Sequence, residues 1–245
     1  MGDSHGNINH AMRDNYDQFG VDEYYRKVSS SYRNPFLPSI KQVVWALFNT
    51  WWDKEGSHLS TESPPKILDM AAGSGEVTSC LLEWVEAGKQ GMTQTLNSRA
   101  FVPPKLRTRA GPKLPEGFRF ETVATDPYTT SAYTARTQLS CYPLSFSDLA
   151  NGQVPDGVSP PWAFIICSFA LHLVPTSSEL FALLYELSTK ATWLVVISPH
   201  KKPEIKESWG WTLWDVEEWK PSDTLTSEVV REKTRLRLFR STTLL

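Results

Sequence analysis

Ile67-Leu68-Asp69-Met70-Ala71-Ala72-Gly73-Ser74-Gly75-Glu76-Val77-Thr78 joins a short apolar run to an acid, two glycines and the start of a helix. Lys66-Ile67-Leu68-Asp69-Met70 predicts a strand, which breaks at Ala71-Ala72-Gly73-Ser74-Gly75. Behind the break, Val77, Cys80, Leu81, Trp84 and Val85 share one helical face. A strand that turns through Gly-x-Gly into a helix lets backbone approach a ligand closely, with amide groups aimed at it. A dinucleotide-binding loop wants a third small residue three positions after Gly75, where this chain has Thr78, and here the acid Asp69 precedes the glycines. Both departures tell against a loop that seats a pyrophosphate.

Outward from this unit, short apolar runs alternate with helical patterns. Upstream, Ile40, Val43, Val44, Leu47, Phe48 and Trp51 recur at helical spacing and form one apolar stripe. Downstream, Phe118-Arg119-Phe120-Glu121-Thr122-Val123-Ala124-Thr125-Asp126 predicts a second strand, and residues 131–139 a helix. Ala163-Phe164-Ile165-Ile166-Cys167-Ser168 and Trp193-Leu194-Val195-Val196-Ile197-Ser198 read as strands buried on both faces. Between them, Thr176-x-x-Glu179 is a capping box that opens a helix carrying Leu180, Phe181, Leu183, Leu184 and Leu187. Arg231-Glu232-Lys233-Thr234-Arg235-Leu236-Arg237-Leu238 alternates as a strand with one wet face does. No internal repeat interrupts the pattern, which predicts one α/β domain with a mostly parallel sheet.

The Asp69-to-Gly75 loop resembles the first motif of the class I, Rossmann-like S-adenosylmethionine-dependent methyltransferases. The resemblance runs over roughly residues 66–198 through an ordered set of four segments. In that family an acid ending the second strand holds the ribose hydroxyls, and Asp126 matches it, with Glu121 earlier in the same strand as its rival. Pro127 ends the strand and favours Asp126 as the tip. A later acid commonly meets the adenine amino group, and Asp148 matches it. Cys167-Ser168-Phe169-Ala170-Leu171-His172 looks like the segment lining the methyl-transfer cleft. The resemblance therefore implies S-adenosylmethionine as cofactor, with S-adenosylhomocysteine as product, held by Asp69, Ala71, Gly73, Gly75, Asp126, Asp148 and Ser168. It implies a seven-stranded sheet with an antiparallel edge hairpin. Residues 1–65 then form an N-terminal helical lid or cap, and residues 66–245 the core, with an insertion at about 88–118.

The insertion is where the charge gathers. The chain has 245 residues, 25 Lys and Arg against 27 Asp and Glu, and a formal net charge of −2. Lys89, Arg99, Lys105, Arg107, Arg109, Lys113 and Arg119 face the single acid Glu116 in a stretch with four prolines and no periodicity. The remainder keeps 18 bases and 26 acids, an acidic body unlike a general nucleic-acid binder. Cys80, Cys141 and Cys167 are odd in number and lack C-x-x-C spacing, which speaks against a disulfide framework and a structural zinc site, so no metal is expected. The N-terminus is polar without an apolar h-region, and the longest apolar run, residues 162–174, is too short to span a bilayer. A cytoplasmic protein without membrane contact is expected, with the nucleus open as well.

Methyl transfer from a sulfonium is an in-line displacement, so alignment in a dry cleft supplies much of the catalysis, and a base is needed only for a protonated acceptor. His172, at the exit of the fourth strand, and His200, beyond the fifth, are the candidate bases, and Tyr25 is a further candidate catalytic group. In many relatives an N-terminal extension covers the cleft, a task that Tyr25, Tyr32, Arg33 and Asn34 suit. Seven of the ten tryptophans, Trp211 among them, flank the core in regions that relatives use for the acceptor pocket, and aromatic walls suit an apolar or cationic acceptor. The leading expectation is transfer to an oxygen or nitrogen of a small-molecule acceptor. The alternatives are an RNA or protein substrate gripped by the 88–118 insertion, and a non-catalytic cofactor-binding module.

Overall fold

The computed structural model describes residue 23 and residues 33–59, 62–91, 111–223 and 227–244. Nine strands form one sheet: β1 (Lys66–Met70), β2 (Glu121–Thr125), β3 (Cys141–Tyr142), β4 (Trp162–Ser168), β5 (Ala191–Ser198), β6 (Trp211–Asp215), β7 (Lys220–Pro221), β8 (Val229–Arg231) and β9 (Thr234–Ser241). Their order is β3-β2-β1-β4-β5-β9-β6-β7, with β8 paired to β9. The first five strands run parallel, and β9 enters antiparallel between β5 and β6. The sheet thus exceeds the expected seven strands by the short β7 and β8, which extend the antiparallel edge.

Five α-helices accompany the sheet among the described residues: α1 (Leu37–Lys54), α2 (Glu76–Lys89), α3 (Thr130–Thr137), α4 (Phe146–Ala150) and α5 (Ser177–Ser188). α1 buries Ile40, Val43, Val44, Leu47, Phe48 and Trp51, the stripe read from its sequence, against α2 and one face of the sheet. α5 opens on its capping box, with Thr176 Oγ1 accepting from the Glu179 amide and Glu179 Oε2 accepting from the Thr176 amide, both at 3.2 Å. Leu180, Leu183, Leu184 and Leu187 of α5 cover the opposite face.

Three expectations change in the structure. The 231–238 stretch is not one strand: Glu232 takes a left-handed φ of 51° and turns β8 into β9. Its arginines do not share a wet face either, because Arg237 is buried and donates through Nη1 to the carbonyls of Lys201 and Pro203. The insertion is anchored at its C-terminal end, where Leu114 and Phe118 are buried. Gly88 is small so that Leu114 can approach: a Cβ there would lie 2.5 Å from Leu114 Cγ. Residues 92–110 lie outside the described residues. The three cysteines are free thiols, and no helix is long and apolar enough to cross a membrane among the described residues.

Candidate active site

β1 is the strand at which the sheet reverses direction of growth, since it pairs β2 on one side and β4 on the other. Ligands of open α/β sheets bind at such a switch point, beyond the carboxyl ends of the strands. A cavity of about 220 Å³ opens there, walled by the 70–73 turn, the end of β2 with Asp126 and Tyr128, residues 144–147, and the exit of β4.

The turn is held in an unusual backbone. Ala71, Gly73 and Gly75 have φ of 53°, 59° and 82°, the left-handed region that glycine enters freely and alanine at a cost of about 1 kcal/mol. Two acids fix it. Asp126 Oδ2 accepts from the Gly73 amide at 3.0 Å, while Oδ1 accepts from the amides of Tyr128 and Thr129 at 2.9 Å each. Thr129 Oγ1 closes the other side by donating to the Gly73 carbonyl at 2.6 Å. Glu76, buried at the start of α2, accepts from the Ser74 amide and hydroxyl and from the Asn34 amide. Arg136 pairs with Glu76 at 3.4 Å. The loop amides expected to point at a ligand are therefore engaged: Gly73 with Asp126, Ser74 with Glu76, Gly75 with the Ala72 carbonyl.

Around this frame, three buried oxygens have no hydrogen-bond partner among the described residues: Asp69 Oδ1, Thr125 Oγ1 and Ser168 Oγ. They stand at the ends of the adjacent strands β2, β1 and β4. Buried polar atoms are rarely left unpaired, so a polar ligand or water belongs there. Asp69 sits one layer behind the wall. Burial is the main reason its carboxyl is pushed up to about 7, and the charges of Glu76 and Asp126 add to it, while the Thr78 hydroxyl bond opposes them.

The predicted residues divide accordingly. Ala71, Gly73, Asp126, Ser168 and Asn34 line the cleft. Gly75 backs it, packed against α3. Glu121 begins β2 at the far end of the strand, so Asp126 is the acid at the tip. Asp148 is a correction. Its Oδ2 accepts from the Ser145 amide at 2.8 Å and hydroxyl at 2.6 Å, closing the capping box of α4, and its neighbours Ser145, Phe146 and Ser147 form the wall instead. Asp148 therefore serves as the cap of α4 and is not part of the cavity wall. Trp211 is a second correction: it is buried under α5, donating Nε1–H to the Leu184 carbonyl at 2.8 Å.

His172 and His200 are exposed and stand off the wall, although Leu173 beside His172 is part of it. Partial burial first, and the charge of nearby His200 second, hold His172 below the ordinary imidazole range. Arg33 is exposed and also off the wall, and Tyr25 and Tyr32 lie outside the described residues. Sequence reasoning missed Glu76, Tyr128 and Phe146, whereas Phe169 lies on the wall within the 167–172 segment expected to line the cleft. An acid directly after Gly75 was the available signal for Glu76. What the sequence did not show for Phe169 is its φ of 57° and its stacking on Phe36 at 5.1 Å, which arise from the strand exit and from a residue 133 positions away.

No family model matches the chain. An uncharacterized protein of the fission yeast Schizosaccharomyces pombe is 37% identical over 246 residues, covering 98% of this chain and 95% of that protein. Among solved structures, the DszA carbon methyltransferase superposes with a TM-score of 0.51 at 14% identity, over 94% of this chain and 59% of that one. That likeness establishes the fold, the class I methyltransferase fold. The magnesium protoporphyrin IX methyltransferase of Synechocystis PCC 6803 superposes with a TM-score of 0.47 at 12% identity, covering 96% of this chain and all of that one.

Proposed function

We propose, from the premise that the chain belongs to the same protein family as the fission yeast relative and has the class I methyltransferase fold, that it is an S-adenosylmethionine-dependent methyltransferase. The acceptor is an oxygen or nitrogen atom of a small molecule. The observation that carries the reading is the cleft at the β1 switch point, where the glycine turn, a strand-end acid and the unpaired buried oxygens of Thr125 and Ser168 converge, with Asp69 Oδ1 just behind them.

The chemistry of the wall fits this cofactor. Its charged side chains are the carboxylates of Glu76 and Asp126, which favour a ligand carrying a sulfonium and an ammonium. Bound there, the cofactor supplies an electrophilic methyl group. Asp126 is the residue for the ribose hydroxyls: Oδ2 already spends one acceptor site on Gly73, and a carboxylate oxygen has another to give. Leu144, Phe146, Phe169, Ala170 and Leu173 supply an apolar wall that excludes water and leaves a neutral acceptor little alternative but alignment with the cofactor. Asn34, tied to Glu76 through its amide, and Phe36, stacked on Phe169, bring the segment before α1 to the mouth.

Alignment, rather than a general base, is the main contribution in this reading, because the described histidines stand outside the wall. The test is binding of S-adenosylmethionine by calorimetry, followed by a screen of small-molecule extracts for acceptors gaining a labelled methyl group. Binding with extract-dependent formation of S-adenosylhomocysteine supports the enzyme. Binding without turnover on any extract supports a cofactor-binding module. Turnover on RNA or protein that disappears when residues 92–110 are deleted, leaving the Leu114 anchor in place, with a steep salt dependence, supports a macromolecular substrate.

A further inference from the structure

Behind the glycine turn runs a chain of buried hydroxyls. Thr78 Oγ1 donates to Asp69 Oδ2 at 2.7 Å, and the same oxygen lies 3.0 Å from the Tyr133 hydroxyl. Thr78 has one hydroxyl hydrogen, so with that hydrogen on Asp69 it must accept from Tyr133. Thr78 and Tyr133 are wholly buried, and Asp69 is 1% exposed. Burial, and the charge of Asp69, push the Tyr133 phenol up, which keeps it a donor.

The geometry that brings the chain together is specific to Gly75. A Cβ at that position would lie 2.5 Å from Thr137 Cγ2 and 3.1 Å from the Tyr133 ring. Only a residue without a side chain lets α3 approach closely enough to place the Tyr133 hydroxyl on Thr78. The chain of donors then meets one carboxylate oxygen and leaves the other, Oδ1, without a partner among the described residues. Aligned hydroxyl donors strengthen one another in a low dielectric.

We infer that Thr78 and Tyr133 are positioning residues for the cofactor cleft: their hydroxyl chain fixes the Asp69 carboxylate beneath the glycine turn, where its negative charge favours a cationic cofactor. The role rests on the methyltransferase reading, but the hydroxyl chain itself does not. Asp69 is faced by Glu76 from α2, Asp126 from the end of β2, Tyr133 from α3, Cys141 from β3 and Cys167 from β4. Glu76 and Asp126 repel its charge, and both thiols are pushed up and remain neutral. Thr78, with Tyr133 behind it, is the contact that favours ionisation.

The test compares wild type with Thr78→Val, Thr78→Ser and Tyr133→Phe in two measurements. The first is S-adenosylmethionine affinity by calorimetry from pH 6 to pH 9. Thr78→Val is expected to weaken binding about 10-fold near pH 6 and about 5-fold near pH 7, with the loss shrinking toward pH 9 as Asp69 ionises without help. Tyr133→Phe loses about 3-fold in the same pattern, and Thr78→Ser restores the wild-type profile. The second is thermal unfolding of the cofactor-free protein against pH. A carboxyl held above its unfolded value adds stability that is complete below about 4 and is lost as pH rises through its folded value, here about 7. Thr78→Val moves that loss upward by about one pH unit. An affinity loss equal at every pH, or a Ser variant no better than Val, overturns the inference, as does an unmoved unfolding profile in both Thr78→Val and Tyr133→Phe. If wild type binds no cofactor at any pH, the methyltransferase reading fails while the unfolding profiles still decide the hydroxyl chain. Should Thr78→Val not fold, Tyr133→Phe carries both measurements.

Discussion

The glycine-turn end of the sheet and the aromatic wall beneath α1 are built on opposite terms. Beneath α1, Trp45, Trp51, Trp52, Trp84, Phe48, Phe118 and Phe120 interlock, with Trp52 and Phe118 rings 4.9 Å apart and Trp84 stacked on Phe120 at 5.9 Å. Two of its indoles are matched, Trp45 donating to the Cys80 carbonyl at 3.0 Å and Trp84 to Asn49 at 2.8 Å, while Gln42 Oε1 on α1 and Trp214 Nε1 have no partner among the described residues. At the turn, three oxygens are unpaired and buried acids crowd together. The aromatic region spends its residues on stability, and the turn retains unsatisfied chemistry that a ligand can complete. Composition points the other way, since most of the tryptophans flank the core where relatives place acceptors; in this fold they are largely its foundation.

Breaking the aromatic side gives the largest expected effect. Trp84→Ala removes a fully buried indole and is expected to cost about 3–5 kcal/mol of stability by denaturant unfolding, while leaving cofactor affinity intact well below its melting temperature. A large loss of affinity in folded Trp84→Ala would dissolve the contrast between the regions. On the turn side, Asp126→Ala is expected to weaken S-adenosylmethionine binding about 100-fold by calorimetry, because it removes both a ligand acceptor and the anchor of the Gly73 amide. Unchanged affinity would remove Asp126 from the site.

Gly75→Ala tests the turn through stability as well as through binding. It forces a Cβ into the left-handed φ and against Thr137, and is expected to lower stability by about 1–3 kcal/mol in thermal unfolding and to reduce cofactor affinity with it. His172→Ala sharpens the comparison from the weak end. If alignment does the work, kcat falls by less than about 5-fold once an acceptor is known, whereas a general base is worth about 100-fold or more. A drop of that larger size, with a pH profile that loses its lower limb, would make His172 the base.

Much of the frame was legible in the chain. Lys66–Met70 is the strand its apolar run predicts, α5 opens at the capping box read from Thr176 and Glu179, and the Asp126-Pro127 pair marks the tip of β2. Asp148 illustrates the limit. An acid at the right distance after β3 matched a ligand contact, yet Ser145 three residues earlier made it equally a capping-box partner, and the helix claimed it. The 231–238 alternation was similarly ambiguous, because nothing in its pattern separates one strand from two joined at Glu232.

By itself, then, the sequence determined what depends on neighbours within a few residues: strand and helix periodicity, caps, and the left-handed turn that glycines permit. Tertiary structure decided which polar groups meet. Asn34 reaches Glu76 across 42 positions, Gly73 reaches Asp126 across 53, and Tyr133 reaches Thr78 across 55. Such pairings are set by how helices and strands pack once the core closes. The burial that shifts Asp69 and makes the tryptophans structural therefore appears only in the folded chain.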